Sequence, residues 1–206
     1  MNISPAVREL VCSDCGATYD PADQTHRCPD CDGILTVEYD LDAVEVTPEA
    51  LSARRFDGVE RYAELLPFPR ETLVSTDEGT TPLVECPTLA EELGVGRVFV
   101  KDEGRNPAGS VADRGMAVAV SAARAHGASD VALATTGNAG QSAAAYAGRA
   151  GLASYSFVPS RATFGNKAMI NVHGGDMSVV GGRYDDAADA FADAMDEEDW
   201  HSVAAF

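Results

Sequence analysis

Lysine is almost missing from this chain of 206 residues: only Lys101 and Lys167 occur, and the other basic residues are arginines. The 15 basic residues face 33 acidic ones, a net charge of −18. Such a surface repels nucleic-acid phosphates and anionic membranes, which argues against a general polyanion-binding role. Acid-rich, lysine-poor chains suit a high-salt cytoplasm, where salt screens their self-repulsion. Long apolar runs are also missing. No stretch approaches the ~20 residues of a membrane span, and "MNISPAVREL" lacks the apolar core of a signal peptide. A soluble cytoplasmic protein is therefore expected. There is no G-x-G-x-x-G dinucleotide fingerprint and no Gly-Lys-Ser/Thr of a P-loop. With 45% apolar residues the composition is globular, and the length suits one ordinary domain with a small appendage.

Cysteine, in contrast, is concentrated. Four of the five lie in "CSDC" and "CPDC", as Cys12, Cys15, Cys28 and Cys31. Two C-x-x-C turns twelve residues apart bring four thiolates round one tetrahedral ion, and Zn²⁺ is the default for a four-cysteine set in a reducing cytoplasm. A redox dithiol and disulfides are the rivals. A closed four-cysteine site has no open coordination position, so it stabilises and does not catalyse. Gly16 and Gly33 fall where tight knuckles need a positive φ, and the segment between the pairs is long enough for a small hairpin. The surrounding acids argue against nucleic acid as the ribbon's partner. Cys86 has no evident catalytic partner and is expected to be a buried free thiol.

Residues 48–66 read as helical, with Leu51, Phe56, Tyr62, Leu65 and Leu66 as packing positions, and "LPFPR" ends the run. "EGTTPLVEC" and "RVFVKDE" read as strands around the short helix "TLAEELG". From Asp113 onward helices and strands alternate, through "DVALATT", "ASYSFVP", "DMSVVGG" and "WHSVAAF". That order predicts an open four-stranded parallel sheet with flanking helices over about residues 105–206. Ligands of such sheets sit outside the carboxyl ends of the strands, at helix N-termini. "TTGNAG", residues 135–140, occupies that place after the first strand and is a candidate anion or carboxylate cradle.

Taken in order, the segments "CSDC…CPDC", "LLPF", "EGTTPLV", "VFVKDEGRNPAGS", "DRGM", "TTGNAGQSAAAYAGRAG" and "GNKAMINVHGGDMSVVGGRYDDA" resemble threonine synthase. That family belongs to the fold-type-II pyridoxal-phosphate enzymes, related to tryptophan synthase β. The resemblance implies a zinc ribbon over residues 1–40, an incomplete segment of the larger pyridoxal-phosphate domain over 41–104, and the small α/β domain over 105–206. It implies a carbon–oxygen lyase of amino-acid biosynthesis acting on O-phosphohomoserine. In the family the turn before "DRG" reads Asn-Pro-Thr-Gly-Ser-Phe-Lys, and its lysine forms the Schiff base with pyridoxal phosphate. By position that lysine is Ala112 here, while Ala108 and Val111 replace the threonine and phenylalanine. A methyl group forms no Schiff base, so covalent cofactor binding is not expected.

The family's second loop contacts the cofactor ring hydroxyl through an asparagine and the substrate acid group through backbone N–H donors. By resemblance these roles fall to Asn138 and to Thr135, Thr136, Gly137, Ala139 and Gly140. The family pattern also continues well past Phe206, with the cofactor-phosphate loop in that later part, so this chain is expected to be a C-terminally truncated homologue. Three functions are open: an inactive paralogue, a regulatory or binding subunit, and a lyase completed by another chain. The subunit would hold a small carboxylate or phosphate and pair with an active, homologous full-length enzyme, or self-associate through the incomplete domain's apolar edge. The third function is opposed by Ala112, because the lysine belongs to this part of the family pattern.

Overall fold

The computed structural model describes residues 2–23 and 27–204. Strand β1 (Val7–Cys12) pairs antiparallel with β2 (Thr18–Tyr19) and with β3 (Leu35–Tyr39), giving the order β2-β1-β3. Among the described residues no hairpin lies wholly between the two cysteine pairs. The ribbon's hairpin runs from β1 into β2 through the first knuckle, and residues 24–26 lie outside the described residues. Gly33 also acts differently from expectation. The left-handed residue of the second knuckle is Asp32, at φ 59°, whereas a Cβ at Gly33 would stand 2.7 Å from the Cys12 sulfur. Glycine is needed there for room, and an aspartate tolerates the left-handed turn.

The run 48–66 is not one helix. Helix α1 (Pro48–Ala53), capped by the Thr47 hydroxyl, stops before a 3-10 segment, Gly58–Leu65. Gly58 sits at φ 70°, outside the helical region, and Arg54 folds back to bond the Arg61 carbonyl and the Glu64 carboxylate. Of the expected packing positions, Phe56, Tyr62 and Leu65 are exposed; Ala63, Phe68 and Leu73 form the local core instead, against Ala122 and Ala125.

Strand β4 (Leu83–Glu85), helix α2 (Pro87–Leu93) and strand β5 (Phe99–Lys101) follow, with β4 and β5 pairing only with each other among the described residues. Leu83, Val84, Phe99 and Val100 are all exposed on this hairpin. Cys86, at the start of α2, is half-buried rather than buried, because α2 and the hairpin have little packed over them.

The remainder alternates as expected: α3 (Ala112–Ala125), β6 (Asp130–Ala134), α4 (Asn138–Ala150), β7 (Ala153–Pro159), α5 (Phe164–Val172), β8 (Asp176–Val180), α6 (Tyr184–Glu197) and β9 (His201–Ser202). All pairings are parallel, in the order β8-β7-β6-β9. Helices α3 and α4 pack together, with α4 on β6 and β7, while α6 lies against β6, β7 and β8. Tyr155 and Phe157 of β7 meet Trp200 and Phe191 on the α6 side. The core joins Met116, Val120, Val131, Leu133, Ala143, Tyr146 and Ala147 to Val74 from the earlier segment. Small residues on α3 and α4 let the two helices approach closely, and burial of this apolar surface supplies the main stabilisation. Strand order runs outward from β6 to β8 and then returns to β9 on the far side of β6. The direction in which strands are added therefore reverses at β6, and the loop after β6 sits where open α/β sheets form their ligand crevice.

Candidate ligand cavity and four-cysteine centre

Two loops converge above β6. The first, residues 102–112, is held rigidly. Asn106 is buried; its Oδ1 accepts from Gly79 N at 2.7 Å and its Nδ2 donates to Glu103 Oε2 at 2.7 Å. Arg114 donates to both oxygens of Glu103, at 2.8 and 2.7 Å, and this pairing holds the Glu103 carboxyl down at about 2. Further on, the fully buried Asp113 accepts from Ala108 N at 2.7 Å and from the Ser142 hydroxyl, and Gln141 donates to the Ala108 carbonyl. These bonds tie the turn to α4 and place Ala112 at the first position of α3.

The second loop is "TTGNAG". Thr135 N completes the sheet by donating to the Phe157 carbonyl, and Thr135 Oγ1 accepts from Gly137 N at 3.0 Å and Gly140 N at 3.2 Å. Those two donors are thus satisfied within the loop. Gly137 takes φ 148°, and a Cβ there would stand 2.2 Å from Asn166 Nδ2, so only glycine fits. Asn138 opens α4, whose N-terminal dipole faces the cavity.

Between the loops lies a cavity of about 340 Å³ lined by Ala112, Ala134, Thr135, Thr136, Asn138, Ala139, Asn166 and Tyr184. Ala112, Thr135, Thr136, Asn138 and Ala139 of the residues chosen from sequence therefore meet in one place; Gly137 and Gly140 shape the loop behind it. Asn166 and Tyr184 were missed. Asn166 Nδ2 donates to the Thr136 carbonyl at 3.1 Å, bringing α5 onto the loop. Their only sequence signal was position near the starts of α5 and α6, which face the same end of the sheet. Neither lysine lines the cavity: Lys101 donates to the Thr81 and Gly79 carbonyls, and Lys167 to the Ser160 carbonyl at 3.0 Å. The cavity offers amide and hydroxyl groups for hydrogen bonding and no amine nucleophile.

The four N-terminal cysteines also meet. Their sulfurs all lie within 4.8 Å of one another, with Cys12 and Cys31 at 3.5 Å and Cys15 and Cys28 at 3.6 Å. A disulfide needs about 2.05 Å, whereas four thiolates bonded to a tetrahedral ion at about 2.3 Å stand roughly 3.8 Å apart. The Tyr19 hydroxyl lies 3.1 Å from Cys28 Sγ and brings that thiol down to about 6, whereas the crowding of neighbouring sulfurs pushes the Cys15 and Cys31 thiols up. Cys12 and Cys28 are buried, and Cys15 and Cys31 are exposed.

The reversal of strand order, the glycine-bearing loop and the facing helix start are those of a fold-type-II pyridoxal-phosphate protein. The chain belongs to the pyridoxal-phosphate dependent enzyme family, whose model matches residues 74–206. It is 39% identical over 179 residues to the threonine synthase of Methanosarcina acetivorans, and 40% identical over 182 residues to that of Methanocaldococcus jannaschii. Each match covers 86% of this chain and 44% of the relative, so the chain spans less than half the length of these curated relatives. Among solved structures, O-ureido-L-serine synthase aligns with a TM-score of 0.55 and 27% identity, over 61% of this chain and 41% of that one. A lysine-to-alanine mutant of the same enzyme, with O-ureido-L-serine bound, aligns with a TM-score of 0.55 and 26% identity over 60% of this chain and 40% of that one. Among the described residues no helix is long and apolar enough to cross a membrane.

Proposed function

We propose that this chain is a threonine-synthase-like protein without Schiff-base chemistry of its own, whose cavity holds a small carboxylate or phosphate ligand. One observation carries the reading: Ala112 presents a methyl group to the cavity built by "TTGNAG". Family membership implies pyridoxal phosphate, but the residues present do not fit a covalently held cofactor. The cavity lining contains no amine, and both lysines bond backbone carbonyls elsewhere. Pyridoxal phosphate would bring an electron sink for carbanion chemistry; Asn138, Thr135 and Thr136 supply hydrogen bonds alone and move no proton through a lysine. The ligand-bound lysine-to-alanine mutant of O-ureido-L-serine synthase supports retention of binding after such a loss. Purified protein given O-phosphohomoserine and pyridoxal phosphate at high salt should release no threonine; catalytic release above an empty-vector preparation would sink the reading.

The domain division follows the same reading: a zinc ribbon over 1–40, a segment of the larger domain over 41–104 and the α/β unit over 105–206. The place of action is the cytoplasm, at high salt. The four-cysteine centre holds one Zn²⁺ as a structural ion, supported by sulfur spacing suited to a tetrahedral site. A second function is favoured by the hairpin β4–β5, whose Leu83, Val84, Phe99 and Val100 are exposed. In it the chain is a binding subunit that adds this hairpin to a homologous full-length enzyme or to a second copy of itself. A change in mass on mixing with such an enzyme, measured by light scattering, tests it; unchanged monomers of both would refute it.

A further inference from the structure

The strands that carry the four cysteines also bring one phenol against them. Tyr19 ends β2, which pairs with β1 through Leu10, and its side chain reaches from the first knuckle to the second. There its hydroxyl lies 3.1 Å from Cys28 Sγ and 3.1 Å from Asp30 Oδ2. Backbone donors serve the sulfurs as well. Asp14 N reaches Cys12 at 3.4 Å, Ala17 N reaches Cys15, Asp30 N and Cys31 N reach Cys28, and Gly33 N reaches Cys31. Among the described residues, Tyr19 carries the one hydroxyl within hydrogen-bond distance of these sulfurs. A phenol has a single hydrogen, so Cys28 and Asp30 compete for it.

We propose that Tyr19 is a positioning residue of the metal centre, donating its hydrogen to the Cys28 thiolate and so tightening the hold on the ion. The proposal rests on the reading of the four cysteines as a Zn²⁺ site given above. Four thiolates around Zn²⁺ leave the centre doubly negative, and Asp14, Asp30 and Asp32 add carboxylates within the same two knuckles. On a chain of net charge −18, that repulsion is relieved by hydrogen-bond donors aimed at sulfur. Most of those donors come with the knuckle turns themselves, whereas the hydroxyl depends on one side chain. The same bond also has a mechanical effect. Tyr19 ties the hairpin that carries Cys12 and Cys15 to the turn that carries the buried Cys28, so the two ligand pairs are held together before the ion arrives. Asp30 draws on the same hydrogen and therefore opposes the effect.

Competition for Zn²⁺ between the full chain and a chromogenic chelator, at one neutral pH, tests the role. Y19F keeps the ring and removes the hydroxyl, and should weaken Zn²⁺ binding about tenfold or more. D30N removes the competing carboxylate and should bind at least as tightly as the wild type. Cobalt substitution supplies a readout that a loss of packing does not move. The sulfur-to-cobalt charge-transfer band should shift to longer wavelength in Y19F, where the thiolate loses a donor. In D30N, where sulfur gains the whole hydrogen, it should shift to shorter wavelength. Unchanged affinity in Y19F, a loss in D30N equal to that in Y19F, or bands that shift the same way in both would each overturn the proposal. If Y19F takes up no metal at all, D30N decides: weakened binding there refutes the role, and undiminished binding with the shorter-wavelength band supports it. A wild-type chain that binds neither zinc nor cobalt would overturn the four-cysteine metal reading and this proposal with it. A wild-type chain that binds both, with Y19F equal to it, would overturn this proposal alone.

Discussion

Tyr146→Phe removes one oxygen from the centre of the molecule, and its effect follows from the bonds that oxygen makes. Tyr146 is fully buried in α4; its hydroxyl donates to Glu78 Oε2 at 2.9 Å and accepts from Thr76 Oγ1 at 2.9 Å. Glu78 is 1% exposed and has acceptors only to offer: it also receives Val59 N, Thr76 N and the Ser75 hydroxyl at 2.9 Å each. Burial, together with the nearby Glu78 charge, raises the Tyr146 phenol, so it stays a donor at all working pH values. Losing a hydrogen bond to a charged group costs about 1.5–3 kcal/mol, and the neutral partner adds about 0.5–1.5 kcal/mol. Because Glu78 keeps three other donors, about 2–3 kcal/mol is expected in total. For a chain of this size that is roughly 5–10 °C in Tm. Urea unfolding followed through Trp200, the single tryptophan, reads the loss in the α/β unit. A double-mutant cycle with Glu78→Gln should give a coupling of at least about 1 kcal/mol. A loss under about 0.5 kcal/mol would refute the claim that this network ties α4, and hence the "TTGNAG" loop, to the earlier segment.

Metal analysis should find one zinc per chain, and a strong chelator should unfold β1–β3 while the Trp200 signal persists; a metal-free protein with an intact ribbon would contradict the four-cysteine site. Gly137→Ala should cost about 1–3 kcal/mol and abolish small-acid binding, because the new Cβ meets Asn166 and the φ of 148° is unsuited to alanine; retained binding by calorimetry would show that the loop is more adaptable. Glu103, held at about 2 against an ordinary 4.5, adds stability that is complete above pH 4.5 and is lost as pH falls toward 2. Its exposure to solvent keeps the effect modest. Glu103→Gln should therefore lower Tm at neutral pH and flatten its decline across that acid window, and an unchanged slope would refute the assignment.

Much of the α/β unit was legible in the sequence because its punctuation is local. Gly127 and Gly151 take positive φ just past α3 and α4, and the apolar strands between them have no other place to go. The loop "TTGNAG" was legible for the same reason, as was Ala112 at the helix start. The earlier segment was not. Whether residues 48–66 form one helix is decided by Gly58 and by the Arg54 side chain reaching Glu64, and apolar spacing records neither. Asn166 and Tyr184 escaped because they join the cavity through sheet order, 28 and 46 residues beyond Asn138 in the chain. The pairing of Gly137 and Gly140 with Thr135 Oγ1 was equally hidden, since a hydroxyl that satisfies its own loop looks in sequence like one available to a ligand.

The central claim is that Ala112 leaves this member of the pyridoxal-phosphate family without its covalent attachment. Incubation with pyridoxal phosphate, borohydride reduction and peptide mass spectrometry tests it most directly. The account predicts no reduced cofactor on Lys101 or Lys167 and no visible aldimine band from protein-bound cofactor before reduction; a stoichiometric adduct on either lysine would contradict it.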